Sequence, residues 1–136
     1  MKLLFATTNK HKLEELQDLV RGLPVQVLSL RDVEATEVDE DRPTLEGNAT
    51  KKATVYCGRT GLATVADDTG LCVDALGGAP GVHSARYGGV ADGPVLGNAE
   101  ERYRANNVRL LQKLAGVPAD RRTAHFRCAL CLAVPG

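Results

Sequence analysis

Apolar strand-like runs and helix-period segments take turns along almost the whole chain, and that alternation limits the architectures open to it. Lys2 to Ala6 reads as a short strand. Thr8 or Asn9 can cap a helix whose apolar positions are Leu13, Leu16, Leu19 and Val20, ending at Gly22. "VQVLSL" is a second strand, and the acidic stretch from Glu34 to Pro43 is a loop by composition. Thr44 starts a helix with Leu45, Ala49, Ala53 and Tyr56 on one face, closed by Gly58. "LATVA" and "LCVDAL" read as two short strands with Asp67-Asp68-Thr69-Gly70 between them, and "GGAPG" as a turn. A helix from Asn98 to Ala115 stops at Gly116 and Pro118, and "HFRCALCLAV" is the last strand. The pattern predicts an α/β fold with a mixed sheet.

The length of 136 residues predicts one domain, with 43% hydrophobic and 25% charged residues as in soluble globular proteins. A formal net charge of zero means that no overall field draws the molecule to nucleic acid or to an acidic membrane. Any polyanion must be held by a local group of cations. Two Phe, three Tyr and no Trp give little on which single-stranded bases could stack. No apolar run approaches the ~20 residues that span a bilayer. The start, "MKLLFATTNKHK", is too short in its apolar core for a signal peptide, so the expected location is cytoplasmic.

Cys128 and Cys131 form a C-x-x-C, which invites a redox or zinc reading. The local alternation argues against both. Residues three apart on a strand point to opposite faces, so the two thiols share neither a bridge nor a ligand. The expectation is four buried structural thiols, Cys57, Cys72, Cys128 and Cys131.

Several short constellations carry possible chemistry. The first strand runs directly into Thr7-Thr8-Asn9-Lys10-His11-Lys12 and then a helix. Strand-to-helix turns expose backbone N–H groups at the positive end of a helix, where an anion is stabilised. The same residue types also serve as an ordinary polar cap with solvated lysines. Lys52 lies beside the apolar stripe of its helix, either with its stem packed and its ammonium in water or directed into a cleft; Lys51 reads as solvated. Asp67 and Asp68, leaving a strand end, point to opposite sides. Carboxylates there suit Mg²⁺, which takes one or two protein oxygens, and the acidic loop could supply a second; taken alone, Asp-Asp-Thr-Gly reads first as a plain turn. "GGAPGVHSARYGG" places Arg86 where it could reach a phosphate or a partner subunit, or is simply a surface loop. His11, His83 and His125 form no catalytic pattern, and neither H-E-x-x-H nor G-x-S-x-G occurs.

The order and spacing of four of these motifs resemble the inosine/xanthosine triphosphate pyrophosphatase family. The motifs are Thr7-x-Asn9-x-x-Lys12, Gly47-Asn48-Ala49-x-x-Lys52-Ala53, Ala66-Asp67-Asp68-Thr69-Gly70-Leu71, and Gly78-Ala79-Pro80-Gly81-Val82-x-Ser84-Ala85-Arg86-Tyr87. The resemblance covers essentially the whole chain. It implies an elongated mixed sheet with flanking helices and a nucleotide cleft between two lobes. It also implies hydrolysis of deaminated purine nucleoside triphosphates (dITP, ITP, XTP) to the monophosphate and pyrophosphate, with Mg²⁺, in a homodimer.

Carried over by motif, Thr7, Thr8, Asn9, Lys10, His11, Lys12 and Lys52 would hold the triphosphate, and Thr69 would contact the substrate. Asp68 would be the catalytic acid, both metal ligand and acceptor of the proton of the attacking water, with Asp67 supporting it. Glu40 would be the second metal ligand, with Asp39 and Asp41 open as alternatives. The aromatic-glycine-Tyr-Asp and Ser-His-Arg motifs that read the base in the family are absent from these 136 residues. The expectation is therefore one pyrophosphatase domain over residues 1–136 without its C-terminal base-recognition segment.

Three rivals stand beside this reading. One is a truncated family member that binds nucleotide or Mg²⁺ with little or no turnover. A receiver-like domain also uses an acidic pair, a Thr and a Lys, but in the opposite order. A general nucleotide or sugar-phosphate phosphatase would release orthophosphate.

Overall fold

The computed structural model describes residues 1–88 and 98–136. Among these, β1 (Lys2–Phe5), α1 (Lys10–Leu19), β2 (Gln26–Leu28), α2 (Leu45–Thr60), β3 (Ala63–Val73), α3 (Ala99–Lys113) and β4 (Ala124–Ala133) follow one another along the chain. The strands form one sheet in the order β2-β1-β3-β4. β1 lies parallel to both neighbours, with Leu3 opposite Val27 on one side and Ala63 on the other. The Asp74 amide, just past the end of β3, donates to the Thr123 carbonyl, just before β4, at 3.0 Å. The end of one strand thus meets the start of the other, so this pair is antiparallel and the sheet is mixed. The expected α/β class with a mixed sheet is what is found.

The chain divides into two compact units, residues 1–68 with 129–136, and residues 69–128. In the first, Leu4, Ala6, Leu30, Ala53, Tyr56 and Ala66 form a buried cluster, and Leu28, Val33, Leu62, Cys131 and Ala133 pack against it. Full burial of one large apolar side chain stabilises by about 1.5–3 kcal/mol, so this cluster fixes α2 on its face of the sheet. Leu4, Ala6 and Ala66 share the strand parity that points toward α2; residues of the other parity point away from it.

In the second unit the end of β3 packs on the loop of 3₁₀ turns that follows. Leu71 N–H donates to Ser84 Oγ at 2.8 Å, and Ser84 Oγ donates to the Gly81 carbonyl at 2.6 Å. A Cβ at Gly70 would stand 2.7 Å from the Gly81 carbonyl carbon, so this close approach of two backbones requires glycine. Gly88 N–H donates to Asn106 Oδ1 at 2.7 Å and the Arg109 guanidinium lies 5.5 Å from the Tyr87 ring centre, both tying the loop to α3. Gly89, the last residue of the glycine-rich stretch, lies outside the described residues.

Four expectations are corrected. The turn at Asp67–Gly70 is absent: β3 runs unbroken from Ala63 to Val73 and absorbs both predicted short strands. Turn composition lost because each acid meets a hydrogen-bond donor from a helix, Lys12 of α1 for Asp67 and Asn48 of α2 for Asp68. Asp74–Leu76, the tail of the second predicted strand, is a 3₁₀ turn. Next, α2 runs through Gly58 and ends at Gly61, whose φ of 68° is the left-handed cap that glycine favours. Finally, the thiols are not all buried: Cys57 is, Cys72 and Cys131 are half-buried, and Cys128 is exposed. β4 turns only Ala129, Cys131 and Ala133 inward, while Phe126 and Leu130 are 77% and 70% exposed.

Candidate functional site

β3 places two consecutive carboxylates in its middle, both buried: Asp67 is 5% and Asp68 8% exposed. Successive residues on a strand point to opposite faces, and the two acids find different partners. Asp67 Oδ2 lies 2.6 Å from Lys12 Nζ, in the first turn of α1. Asp68 Oδ2 accepts from Asn48 Nδ2 at 2.9 Å, on the first turn of α2. The expectation that Asp67 supports Asp68 therefore takes another form. Asp67 fixes a lysine, and its backbone carbonyl also accepts from Lys52 Nζ.

Lys52 is the hinge of the arrangement. Its ammonium meets Glu40 Oε1 at 2.7 Å as well as the Asp67 carbonyl, and its side chain is 12% exposed. Of the two readings left open for it, the inward one is observed: stem and ammonium are both taken out of bulk water. Lys51, expected to be solvated, instead donates to the Asp39 carbonyl at 2.9 Å and to Asp41 Oδ1 at 2.7 Å. This bond holds the Asp41 carboxyl below its ordinary range. The acidic loop is thus clipped to α2 at three successive points. Asp39 and Asp41 are engaged by Lys51, and Glu40 alone turns to Lys52.

The Asp68 carboxyl is pushed above its ordinary value, first by burial and then by the negative charges of Glu40 and Asp67; the bond from Asn48 and the charge of Lys52 act the other way. Three carboxylates and two lysines therefore share one region, and Asp68 is the acid whose charge is least well compensated. A site with an excess of hard oxygen donors is what a divalent cation relieves. No group of three or more His, Cys, Asp or Glu side chains among the described residues forms a ready metal cage. Mg²⁺ does not require one, since it keeps waters and substrate oxygens and takes one or two protein carboxylates. Glu40 and Asp68 fit that donor set.

The strand-to-helix turn is less committed. Asn9 is the N-cap of α1, its Oδ1 accepting from His11 N–H at 3.0 Å and Lys12 N–H at 3.2 Å, and Thr7 Oγ1 accepts from Asn9 N–H at 3.1 Å. The capping reading of these residues is therefore realised. Thr8 is exposed, and Lys10 and His11 extend into solvent beside Glu14, at 3.7 and 4.0 Å. Thr69 follows Asp68 on β3 and is half-buried. The structure thus brings together Lys12, Glu40, Lys52, Asp67 and Asp68 in the first unit, and leaves Thr8, Lys10 and His11 on the surface.

Asn48 is the residue that the motifs contained without a role. Its signal was present: it lies three after Leu45 and one before Ala49, so a polar amide stands on the buried stripe of α2.

The sequence model of the Ham1 family matches residues 3–136. The chain belongs to the Ham1 family. Within it, the chain is 49% identical over 136 residues to the dITP/XTP pyrophosphatase of Geobacter sulfurreducens, covering 99% of this chain and 64% of that protein. It is 47% identical over 155 aligned positions to the dITP/XTP pyrophosphatase of Anaeromyxobacter dehalogenans, covering 99% and 66% respectively. Among solved structures, a HAM1 protein from Coxiella burnetii superposes with a TM-score of 0.83 at 30% identity, over 99% of this chain and 64% of that one. The nucleoside-triphosphatase, dITP/XTP pyrophosphatase, of Mycobacterium abscessus gives 0.77 at 42% identity, over 99% and 66%. This Ham1 chain thus spans about two-thirds of the length of the relatives it matches. Among the described residues, no helix is long and apolar enough to cross a membrane.

Proposed function

We propose that this protein hydrolyses deaminated purine nucleoside triphosphates (dITP, ITP or XTP) to the monophosphate and pyrophosphate, by attack of water at the α-phosphorus. The observation that carries the reading is the buried Asp68 carboxylate, held by Asn48 beside the Glu40–Lys52 pair. The names borne by the Geobacter and Anaeromyxobacter relatives support the substrate class.

A triphosphate resists nucleophiles because its own oxygens repel them. Lys12 and Lys52 supply positive charge against that repulsion, and both are positioned by carboxylates that a bound polyphosphate would partly replace. The polar side chains of Thr7, Thr8, Asn9, Lys10 and His11 line the phosphate chain at the positive end of α1. Glu40 and Asp68 would hold Mg²⁺, which when bound offsets phosphate charge and favours the leaving pyrophosphate. Asp68 orients the attacking water and accepts its proton. Thr69 contacts the substrate next to this centre. A homodimer belongs to the same reading, and light scattering tests it.

A second reading is Mg²⁺ and nucleotide binding with little or no turnover, in which Glu40 and Asp68 still offer carboxylates to the metal. Incubation with dITP and Mg²⁺, followed by separation of dIMP and pyrophosphate from dIDP and orthophosphate, distinguishes the two. Pyrophosphate lost in Asp68→Asn supports hydrolysis. Magnesium-dependent dITP binding with no product supports the second reading, and orthophosphate would contradict both.

A further inference from the structure

Asn48 is 1% exposed and uses both ends of its amide on partners far apart in sequence. Its Oδ1 accepts from the Arg42 backbone N–H at 2.8 Å. Its Nδ2 donates to Asp68 Oδ2 at 2.9 Å. Arg42 lies two residues after Glu40, on the loop that Lys51 and Lys52 clip to α2. One buried side chain therefore spans the loop that carries one carboxylate and the strand that carries the other.

The chemistry of the bridge is specific to an amide. A carboxylate could accept from Arg42 but would meet Asp68 as a like charge; an apolar side chain would leave the Arg42 amide N–H and a buried Asp68 carboxylate oxygen each without this bond. The neighbouring geometry holds the bridge in place. Thr44 caps α2 by accepting from Gly47 N–H at 3.0 Å, and a Cβ at Gly47 would stand 2.9 Å from Arg42 Cβ. Glycine at 47 thus lets the loop lie against the first turn of α2, where Asn48 reaches it.

We infer that Asn48 is a positioning residue that sets Glu40 and Asp68 relative to each other, so that the two act as one divalent-cation site. The inference rests on the proposed Glu40–Asp68 metal pair. Partners that orient ligating carboxylates typically change metal affinity or activity about 10–100-fold when removed.

The test is a double-mutant cycle on Mn²⁺ affinity, with free Mn²⁺ read by electron paramagnetic resonance and no nucleotide present. Its corners are the unsubstituted protein, Asn48→Ala, Glu40→Gln and the double variant, with folding followed by circular dichroism. The expected result is a loss of about 10–100-fold in each single variant and little further loss in the double, because without the Glu40 carboxylate there is no second ligand for Asn48 to set against Asp68. Unchanged affinity in a folded Asn48→Ala, or losses that simply multiply, would overturn the inference. Asn48→Ser, which keeps one hydrogen-bonding group, repeats the cycle if the alanine variant does not fold. Loss of the fold in both would make Asn48 a residue of the fold alone and overturn its positioning role. An unsubstituted protein that binds no Mn²⁺ would instead overturn the metal pair itself, and this inference with it.

Discussion

Lys12 Nζ and Asp67 Oδ2 stand 2.6 Å apart, joining the first turn of α1 to the middle of β3. The carboxylate is almost fully buried and the lysine about one-third exposed, so the pair lies between the surface and interior limits. Substituting Lys12→Met removes a charge-assisted bond from a buried acid. The expected loss in urea unfolding is about 1–2 kcal/mol, the lower part of the range for hydrogen bonds to charged groups because of that exposure. Asp67→Asn, which keeps an acceptor without the charge, should lose less.

Asp68→Asn should stabilise the metal-free protein at neutral pH while it abolishes turnover. The folded-state carboxyl titrates above its ordinary value of 3.8, so over the window between the two values the native state binds more protons than the unfolded one. Stability is then lost as pH rises through that window, and the whole cost is present above it. An amide carries no such cost and still accepts from Asn48. Unfolding midpoints in EDTA at pH 7 should favour Asp68→Asn, and the difference should vanish below pH 3.8.

The Lys51 clip makes a separate prediction. In Lys51→Ala the Asp41 carboxyl should rise toward the ordinary carboxylate range, as followed by its carbon chemical shift in an NMR titration. Asp41 is exposed, so the effect on global stability should stay within the ~0–1 kcal/mol of a surface ion pair.

Gly70→Ala should be among the most damaging small substitutions on β3. The new Cβ would meet Gly81 backbone, which cannot rotate out of the way as a side chain can. Overpacking of this kind costs about 1–3 kcal/mol, measurable as a lower unfolding midpoint.

Much of this was legible in the residues. The Asn9 cap, the apolar face of α2 through Leu45, Ala49, Ala53 and Tyr56, and the opposed faces of Asp67 and Asp68 all follow from local geometry. What escaped were pairings across the chain. Asp67-Asp68-Thr69-Gly70 has the composition of a turn, and only Lys12 and Asn48, brought by other elements, make it tolerable inside a strand. Lys51 read as solvated because the acidic loop had no anchor in the sequence, and the anchor is Lys51 itself. Gly58 lost to Gly61 as the helix end because both are glycines and only the backbone angle separates them.

In the proposed reaction water attacks the α-phosphorus at the Asp68 centre. Hydrolysis of dITP in ¹⁸O-labelled water, with mass spectrometry of both products, tests it most directly. Label is expected in dIMP and none in pyrophosphate, with no labelled product from Asp68→Asn. Label in pyrophosphate or in orthophosphate would place the attack at another phosphorus and contradict it.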